Sequence, residues 1–295
     1  MEYIYAKGRA KINLALDVVR KREDGYHDLS TVMQSLALFD KLHIKKVYKP
    51  DYLKVISNLA WLPGDERNLA WRAARFLIER FEIKTGIFID IQKEIPASAG
   101  LAGGSADCAA ALRGIRDLFE LPLSDGELSA LSVRFGADVP FCVMEGCAHA
   151  VGVGEVMKPL PCLPNMAVLL AKPPVIVSTG NVFARFDFKT ARRPDMDRIL
   201  WAIDRGDLNE ICRGMGNALE SVTAARHPVI EELKGFMIER GALAAMMTGS
   251  GPCVFGVFKE RQKALAAGQA VRKAFPKISE IFVTKPYYPN KSNTN

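Results

Sequence analysis

Pro96-Ala97-Ser98-Ala99-Gly100-Leu101-Ala102-Gly103-Gly104-Ser105-Ala106 joins two segments of opposite character. Before it, Gly86–Gln92 alternates apolar and polar residues as a strand does; after it, the alanine-rich stretch Ser105–Phe119 reads as a helix. Glycines permit φ > 0 and close backbone approach, so consecutive N–H groups can turn toward one concavity. The helix start adds unpaired N–H groups and the positive end of its dipole, both suited to a phosphate. Gly103 and Gly104 are expected to need φ > 0, so that a β-branched residue at either would distort the loop. No Gly-Lys-Ser/Thr closes the segment and it is not G-x-G-x-x-G, which excludes a Walker A loop and a dinucleotide fingerprint. A glycine turn that merely caps a helix is the competing reading, and the surrounding sequence has to decide.

Upstream, Ala10-Lys11-Ile12-Asn13-Leu14-Ala15-Leu16-Asp17 has a strand's period of two and places Lys11, Asn13 and Asp17 on one face. A charged loop with a glycine turn follows at Arg20–His27, then strands near Thr31–Leu38, Leu42–Val47 and Tyr52–Ile56. Pro63-Gly64-Asp65 is turn chemistry, and Asn68 is placed to cap a helix running to Phe81. Downstream, a helix over Asp125–Arg134 stops at Gly136, and three prolines fall within residues 158–165. A domain boundary is placed there: residues 1–157 carry the glycine-rich loop, 158–288 form a second domain, and 289–295 a flexible tail. In the second domain, strands at Met166–Ala171, Ala242–Thr248, Val254–Phe258 and Glu280–Lys285 alternate with helical stretches near Asn181–Phe186, Met196–Glu220 (a broken one), Val229–Glu239 and Arg261–Phe275. Helices gathered against a small, mostly antiparallel sheet give an α+β layer.

Composition bounds the function. The chain has 295 residues, 49% apolar and 25% charged, the balance of a folded globular protein. Its net charge of +7 suits an anionic ligand without choosing among a phosphate ester, a nucleotide or a nucleic acid. The basic residues are dispersed and form no helix-turn-helix, RNP-type or zinc-finger pattern, so no nucleic-acid partner is expected. No secretory signal and no apolar run long enough for a membrane span is read. The six cysteines lack C-x-x-C spacing and read as free thiols of a cytoplasmic protein; the four histidines make no ligand-spaced pair, and no protein-held metal is expected.

Three further segments could carry chemistry. Asp138, in Phe135-Gly136-Ala137-Asp138-Val139-Pro140-Phe141, is blandly a turn or cap residue, and Lys11 blandly a solvated lysine. Converging on one hydroxyl beside a phosphate loop, they would make a base and a neutralising ammonium. Met247-Thr248-Gly249-Ser250-Gly251-Pro252-Cys253 is a tight turn between two strands. Tyr26-His27 could offer a stacking ring and an imidazole to a base or sugar; Tyr5, Phe39 and Phe183 read as core unless placed otherwise.

Taken in order, Ala10–Leu14, Gly25-Tyr26-His27, the Pro96–Ala106 loop, Gly136–Phe141 and Thr248–Pro252 resemble the GHMP kinases over residues 6–285. The resemblance implies a two-domain α+β fold, with an N-terminal ribosomal-protein-S5-like α/β domain and a C-terminal ferredoxin-like α+β domain. It implies transfer of the γ-phosphoryl of ATP, with Mg²⁺ held mainly by the nucleotide phosphates, to a small-molecule alcohol, in a monomer or homodimer. Ala-Lys-Ile-Asn-Leu, Asp-Gly-Tyr-His and Gly-Ala-Asp-Val-Pro-Phe match the branch whose acceptor is a cytidine diphosphate-linked methylerythritol, phosphorylated on its 2-hydroxyl for isoprenoid synthesis. By that resemblance Asp138 is the base and Lys11 its partner. Pro96, Ala97, Ser98, Ala99, Gly100, Leu101, Ala102, Gly103, Gly104, Ser105 and Ala106 hold ATP, with Asn68 on the adenine side. Tyr26, His27 and Phe183 receive the cytidine, and Asn13 the methylerythritol end. Two departures stand out: Ala102 where a third glycine is common, and Cys253 where a threonine is common. A homoserine- or mevalonate-type kinase is the alternative, whose acceptor gives no reason for Tyr26-His27.

Overall fold

A computed structural model describes residues 1–289. The chain opens with β1 (Tyr3–Lys21), β2 (His27–Val47), β3 (Leu53–Ser57), α1 (Leu69–Arg80), β4 (Gly86–Gln92) and α2 (Gly103–Phe119). It continues through α3 (Asp125–Ser132), a 3-10 turn (Val133–Phe135), α4 (Val139–Met144), β5 (Cys147–Gly152), β6 (Val156–Pro159) and β7 (Ala167–Lys172). After α5 (Thr179–Ala184), α6 (Met196–Arg205) and α7 (Leu208–Gly214) come β8 (Gly216–Asn217), α8 (Glu220–Arg226) and α9 (Val229–Glu239). The chain closes with β9 (Ala244–Met247), β10 (Val254–Phe258), α10 (Arg261–Ala274) and β11 (Glu280–Thr284). Of the tail expected over 289–295, all but Pro289 lies outside the described residues.

Contacts divide the chain into two compact units, Met1–Ala10 with Leu38–Ala97 and Ala102–Glu145, and Lys11–Ala37 with Ser98–Leu101 and the described residues from Gly146 onward. The division is not sequential, because β1 and β2 each give one part of their length to either unit. The proline-rich stretch 158–165 lies wholly inside the second unit.

In the first unit the strand order is β3, β4, β2, β1, with β3 parallel to β4 and β4 antiparallel to residues Lys41–Val47 of β2. Alternation buries Leu42, Ile44, Ile87, Ile89 and Ile91 on one face, against which α1 and α2 pack through Ala73, Leu77 and Ala111. The approach is close: a Cβ on Gly114 of α2 would lie 3.2 Å from Ala6 Cβ. The two strands expected at Thr31–Leu38 and Leu42–Val47 are one, β2. The polar residue between them, Asp40, is fully buried and accepts the backbone N–H groups of Glu94 and Ile95 at 2.6 and 2.8 Å. Asn68 caps α1 as expected, its side-chain oxygen accepting from Ala70 N–H at 2.9 Å. Tyr5, expected in the core, is 54% exposed, since odd positions of β1 point away from the helices.

The second unit is built on an antiparallel sheet in the order β11, β7, β10, β9, covered by α9 and α10. Leu169, Ala171, Val254, Phe258, Met237 and Val271 belong to its apolar core. Around it, the β5–β6 hairpin pairs with Leu29–Gln34 of β2, and Ala15–Leu16 of β1 pairs parallel to β8. The helical stretch over Met196–Glu220 is broken, as expected, into two helices and a short strand. Gly206 takes the left-handed conformation that ends α6, and Asp207 caps α7.

Candidate active site

The Pro96–Ala106 loop owes its shape to left-handed residues at every second position: Ser98, Gly100 and Ala102 have φ of +51°, +78° and +58°. Gly100 is obligatory, since a Cβ there would sit 2.1 Å from the Thr248 carbonyl oxygen. Gly103 and Gly104 do not have φ > 0, contrary to expectation, because they already form the first turn of α2. Gly103 is instead closely packed, with Ile95 Cγ2 3.3 Å and Lys93 Nζ 3.4 Å from where its Cβ would be, whereas a Cβ on Gly104 would meet only ordinary van der Waals contact. Ala102 is the N-cap of α2 in the left-handed conformation, so the departure from glycine is carried as local strain.

Within the second unit the carbonyls of this loop are tied down. Ala99 accepts from Cys253 N–H at 3.2 Å and Leu101 from Lys11 N–H at 3.1 Å; Gly100 accepts from the Thr248 hydroxyl at 3.4 Å. In a trans peptide each carbonyl points opposite to the following N–H. The N–H groups of Gly100, Leu101 and Ala102 therefore point away from those partners, and none makes a hydrogen bond among the described residues. A row of outward N–H groups running into a helix N-terminus attracts anions.

Lys11 is not a solvated lysine: it is 3% exposed, and Nζ donates to Asn13 Oδ1 at 2.8 Å. Asn13 Nδ2 donates to Thr31 Oγ1 at 2.9 Å, and Asn13 N–H donates to Thr248 Oγ1 at 3.1 Å. Thus Lys11, Asn13, Thr31, Thr248 and Gly100 form one buried hydrogen-bonded set. The Thr248–Pro252 turn is more than a hairpin connection. Asn217 Nδ2 bridges the carbonyls of Met247 and Gly249 at 2.8 Å each, and Thr223 Oγ1 donates to the Ser250 carbonyl at 3.1 Å. Asn217 and Thr223 carry no motif and were silent in the sequence. Cys253 is fully buried and burial pushes its thiol up to about 12, so it is inert packing, and the hydroxyl of a threonine is not reproduced there.

In the first unit, Asp138 stands at the N-terminus of α4 and its carboxylate does not cap the helix. The bland cap reading is therefore set aside. Asn68 Nδ2 donates to the Pro63 carbonyl at 2.9 Å, so its amide is engaged as a cap and a turn clip. The next residue, Leu69, comes 3.9 Å from the position of a Gly104 Cβ, which sets the start of α1 beside the start of α2. A buried charge cluster that sequence reading missed lies at the base of α2: Lys93 Nζ binds Asp107 Oδ2 at 2.6 Å and also Asp40 Oδ2. Burial pulls Lys93 down, but Asp107 and Asp40 outweigh it and hold the ammonium above its ordinary value. Burial, with Asp40 close by, pushes Asp107 well above the carboxylate range against the pull of Lys93; its Oδ1 has no hydrogen-bond partner among the described residues.

His27 stacks on Phe183, with ring centroids 5.2 Å apart and planes at 28°, and Phe188 extends the stack at 6.4 Å. Phe188 was not anticipated. Tyr26 stays outside this stack, 66% exposed, with its N–H donating to Asp24 Oδ1 at 3.0 Å. Burial and, secondarily, Lys21 depress the His27 pKa, so the imidazole is neutral at pH 7. Among the described residues no group of three His, Cys, Asp or Glu side chains is placed to hold a metal ion.

Residues 68–146 match the family model of the GHMP kinases N-terminal domain, and residues 199–277 that of the GHMP kinases C-terminal domain. The chain is 43% identical to 4-diphosphocytidyl-2-C-methyl-D-erythritol kinase of Lachnospira eligens, covering 98% of this chain and 100% of the relative. It is 46% identical to the protein of that name from Caldicellulosiruptor saccharolyticus, covering 94% and 95% of the two chains. A crystal structure of 4-(cytidine 5'-diphospho)-2C-methyl-D-erythritol kinase superposes with a TM-score of 0.81 at 30% identity, over 97% of this chain and 100% of that one. The chain therefore belongs to the 4-diphosphocytidyl-2-C-methyl-D-erythritol kinase family of the GHMP kinases.

Proposed function

We propose that this chain transfers the γ-phosphoryl of ATP to the 2-hydroxyl of 4-diphosphocytidyl-2-C-methyl-D-erythritol, releasing ADP. The observation that carries the kinase chemistry is the loop in which the carbonyls of Ala99, Gly100 and Leu101 are held by protein donors while the following N–H groups face the other way. The choice of acceptor over homoserine or mevalonate is supported by full-length relatives at 43–46% identity that carry that name.

Each residue then has a task. The N–H groups of the Pro96–Ala106 loop and the start of α2 receive the ATP phosphates, with Asn68 and Leu69 toward the adenine. Asp138 accepts the proton of the acceptor hydroxyl as its oxygen bonds to Pγ and the bond from Pγ to the β,γ-bridging oxygen breaks. Lys11 offsets the charge that builds on the transferring group, and Asn13 fixes the ammonium by accepting from it. The second N–H of Asn13 Nδ2 is assigned to the methylerythritol end. Neutral His27 reads the cytosine edge, with Phe183 as its backing ring and exposed Tyr26 closing over the base. A Mg²⁺ riding on the nucleotide phosphates would be met by the Ser105 hydroxyl in the first turn of α2, which makes no hydrogen bond among the described residues. Such an ion would supply neutralisation of the phosphate charge.

The test is Asp138→Asn. An amide cannot take the hydroxyl proton, so kcat should fall about 10²-fold or more while ATP affinity stays within about threefold. Near-wild-type kcat in a folded Asp138→Asn chain would remove Asp138 from this role.

A further inference from the structure

The cations that look dispersed in sequence are gathered by the fold onto one open sheet face. In the first unit the helices cover one side of the sheet; the odd residues of β1 and the alternating residues of β2, β4 and β3 occupy the other. That outer face carries Lys7, Lys41, Lys45 and Lys54, none of which makes an ion pair among the described residues. At its strand positions the only acid is Asp90, paired in register with His43.

Interleaved with these cations are rings. Tyr3 and Tyr5 are 52% and 54% exposed. Tyr5 is stacked on His43 with centroids 4.6 Å apart, and Tyr3 meets the same imidazole edge-on at 5.3 Å. Ammonium groups lie against the aromatic surface, Lys41 Nζ 4.3 Å from the Tyr5 centroid and Lys7 Nζ 4.5 Å from that of Phe39. An ammonium on a flexible exposed stem yields its place over a ring and follows a phosphate. The face thus repeats one unit: a flat ring with a cation beside it.

From this juxtaposition we infer that the outer sheet face of the first unit binds single-stranded nucleic acid, bases stacking on Tyr3 and Tyr5 and the backbone running over the lysines. Rings backed by packed neighbours accept any base, and unneutralised cations at strand spacing track the phosphates. A sheet face of this width accommodates two or three stacked bases. Charge complementarity selects this occupant. A second copy would press four unpaired lysines against four others, and a duplex buries its bases where the rings cannot reach them. This site uses none of the residues assigned to phosphoryl transfer, so it stands or falls independently of the kinase reading.

The experiment is fluorescence anisotropy with labelled oligouridylate of roughly 12 nucleotides and a duplex of equal length, at several salt concentrations. Four neutralised phosphates predict that log K against log salt falls with a slope of about −3 for the single strand. Affinity for the single strand should exceed that for the duplex by about tenfold. Tyr5→Ser should weaken it about tenfold at unchanged slope, and Lys41→Gln should reduce the slope by about 0.7. Both variants should keep wild-type ADP release, which also reports that they are folded. Equal affinity for duplex and single strand, or indifference to Tyr5→Ser, would overturn the proposal in favour of diffuse charge attraction. Absence of binding with dimers in sedimentation that Lys41→Glu disrupts would overturn it in favour of an interface between copies.

Discussion

Thr248→Val exchanges a hydroxyl for a methyl of nearly the same shape at a fully buried position. The Thr248 hydroxyl accepts from Asn13 N–H at 3.1 Å and has one proton to give, to Asn13 Oδ1 at 3.3 Å or to the Gly100 carbonyl at 3.4 Å. Valine leaves the Asn13 N–H buried without an acceptor, which costs about 1–3 kcal/mol. A body of this size loses about 2–4 °C of Tm per kcal/mol, so the expected fall is about 2–12 °C. Thr248→Ser is the control: it keeps the hydroxyl and removes a buried methyl, worth about 0.8 kcal/mol. Function should separate the two further. Valine frees both Asn13, which anchors Lys11, and Gly100, which shapes the phosphate loop, so kcat should fall and KM for ATP rise. Serine should leave both near wild type. Differential scanning calorimetry with steady-state kinetics on the three chains decides the matter. A valine chain no less stable and no less active than the serine chain would refute the idea that this hydroxyl ties Lys11 to the loop.

The buried cluster of the first unit gives a paired prediction. Asp40→Asn should destabilise by about 3 kcal/mol or more, because Asp40 accepts from Lys93 and two backbone N–H groups. Asp107→Asn should be mild, since Lys93 keeps Asp40. Asp107 is raised in the folded state, so folding favours its protonated form and its ionisation works against stability; the asparagine chain should therefore gain on wild type as pH rises from 5 to 8, read from Tm. Ala102→Gly should raise Tm by the equivalent of about 0.5–1 kcal/mol, the relief of a left-handed alanine at φ +58° less the added freedom of the unfolded chain. His27 has its pKa lowered by burial, so acceptor affinity should stay flat from pH 8 to 6.5 and fall only below the ordinary histidine range; His27→Gln should abolish that acid limb in equilibrium binding.

What the sequence disclosed and what it withheld follow from range. Asn68 before α1, the limits of β4 and β10, and the glycine loop before α2 were legible because capping and alternation are local. The β5–β6 hairpin was not, since its strands are short and borrow their pairing from β2. Asp40, Lys93 and Asp107 are separated by 53 and 14 residues, and only the fold makes them one cluster. Lys11 and Asn13 were placed on one strand face from their spacing, but that this face is buried depends on Thr31 and Thr248. The glycine pair Gly103-Gly104 misled because glycine signals both positive φ and close packing, and here the former belongs to Ser98, Gly100 and Ala102.

The central claim is phosphoryl transfer from ATP to a cytidine-bearing alcohol, and ADP release with each candidate acceptor tests it most directly. With 4-diphosphocytidyl-2-C-methyl-D-erythritol, ADP should appear in equal amount to phosphorylated acceptor, with CMP or CDP competing against the acceptor and not against ATP. Homoserine and mevalonate should give no turnover. ADP release with mevalonate or homoserine, or an acceptor reaction that cytidine nucleotides do not inhibit, would contradict the account.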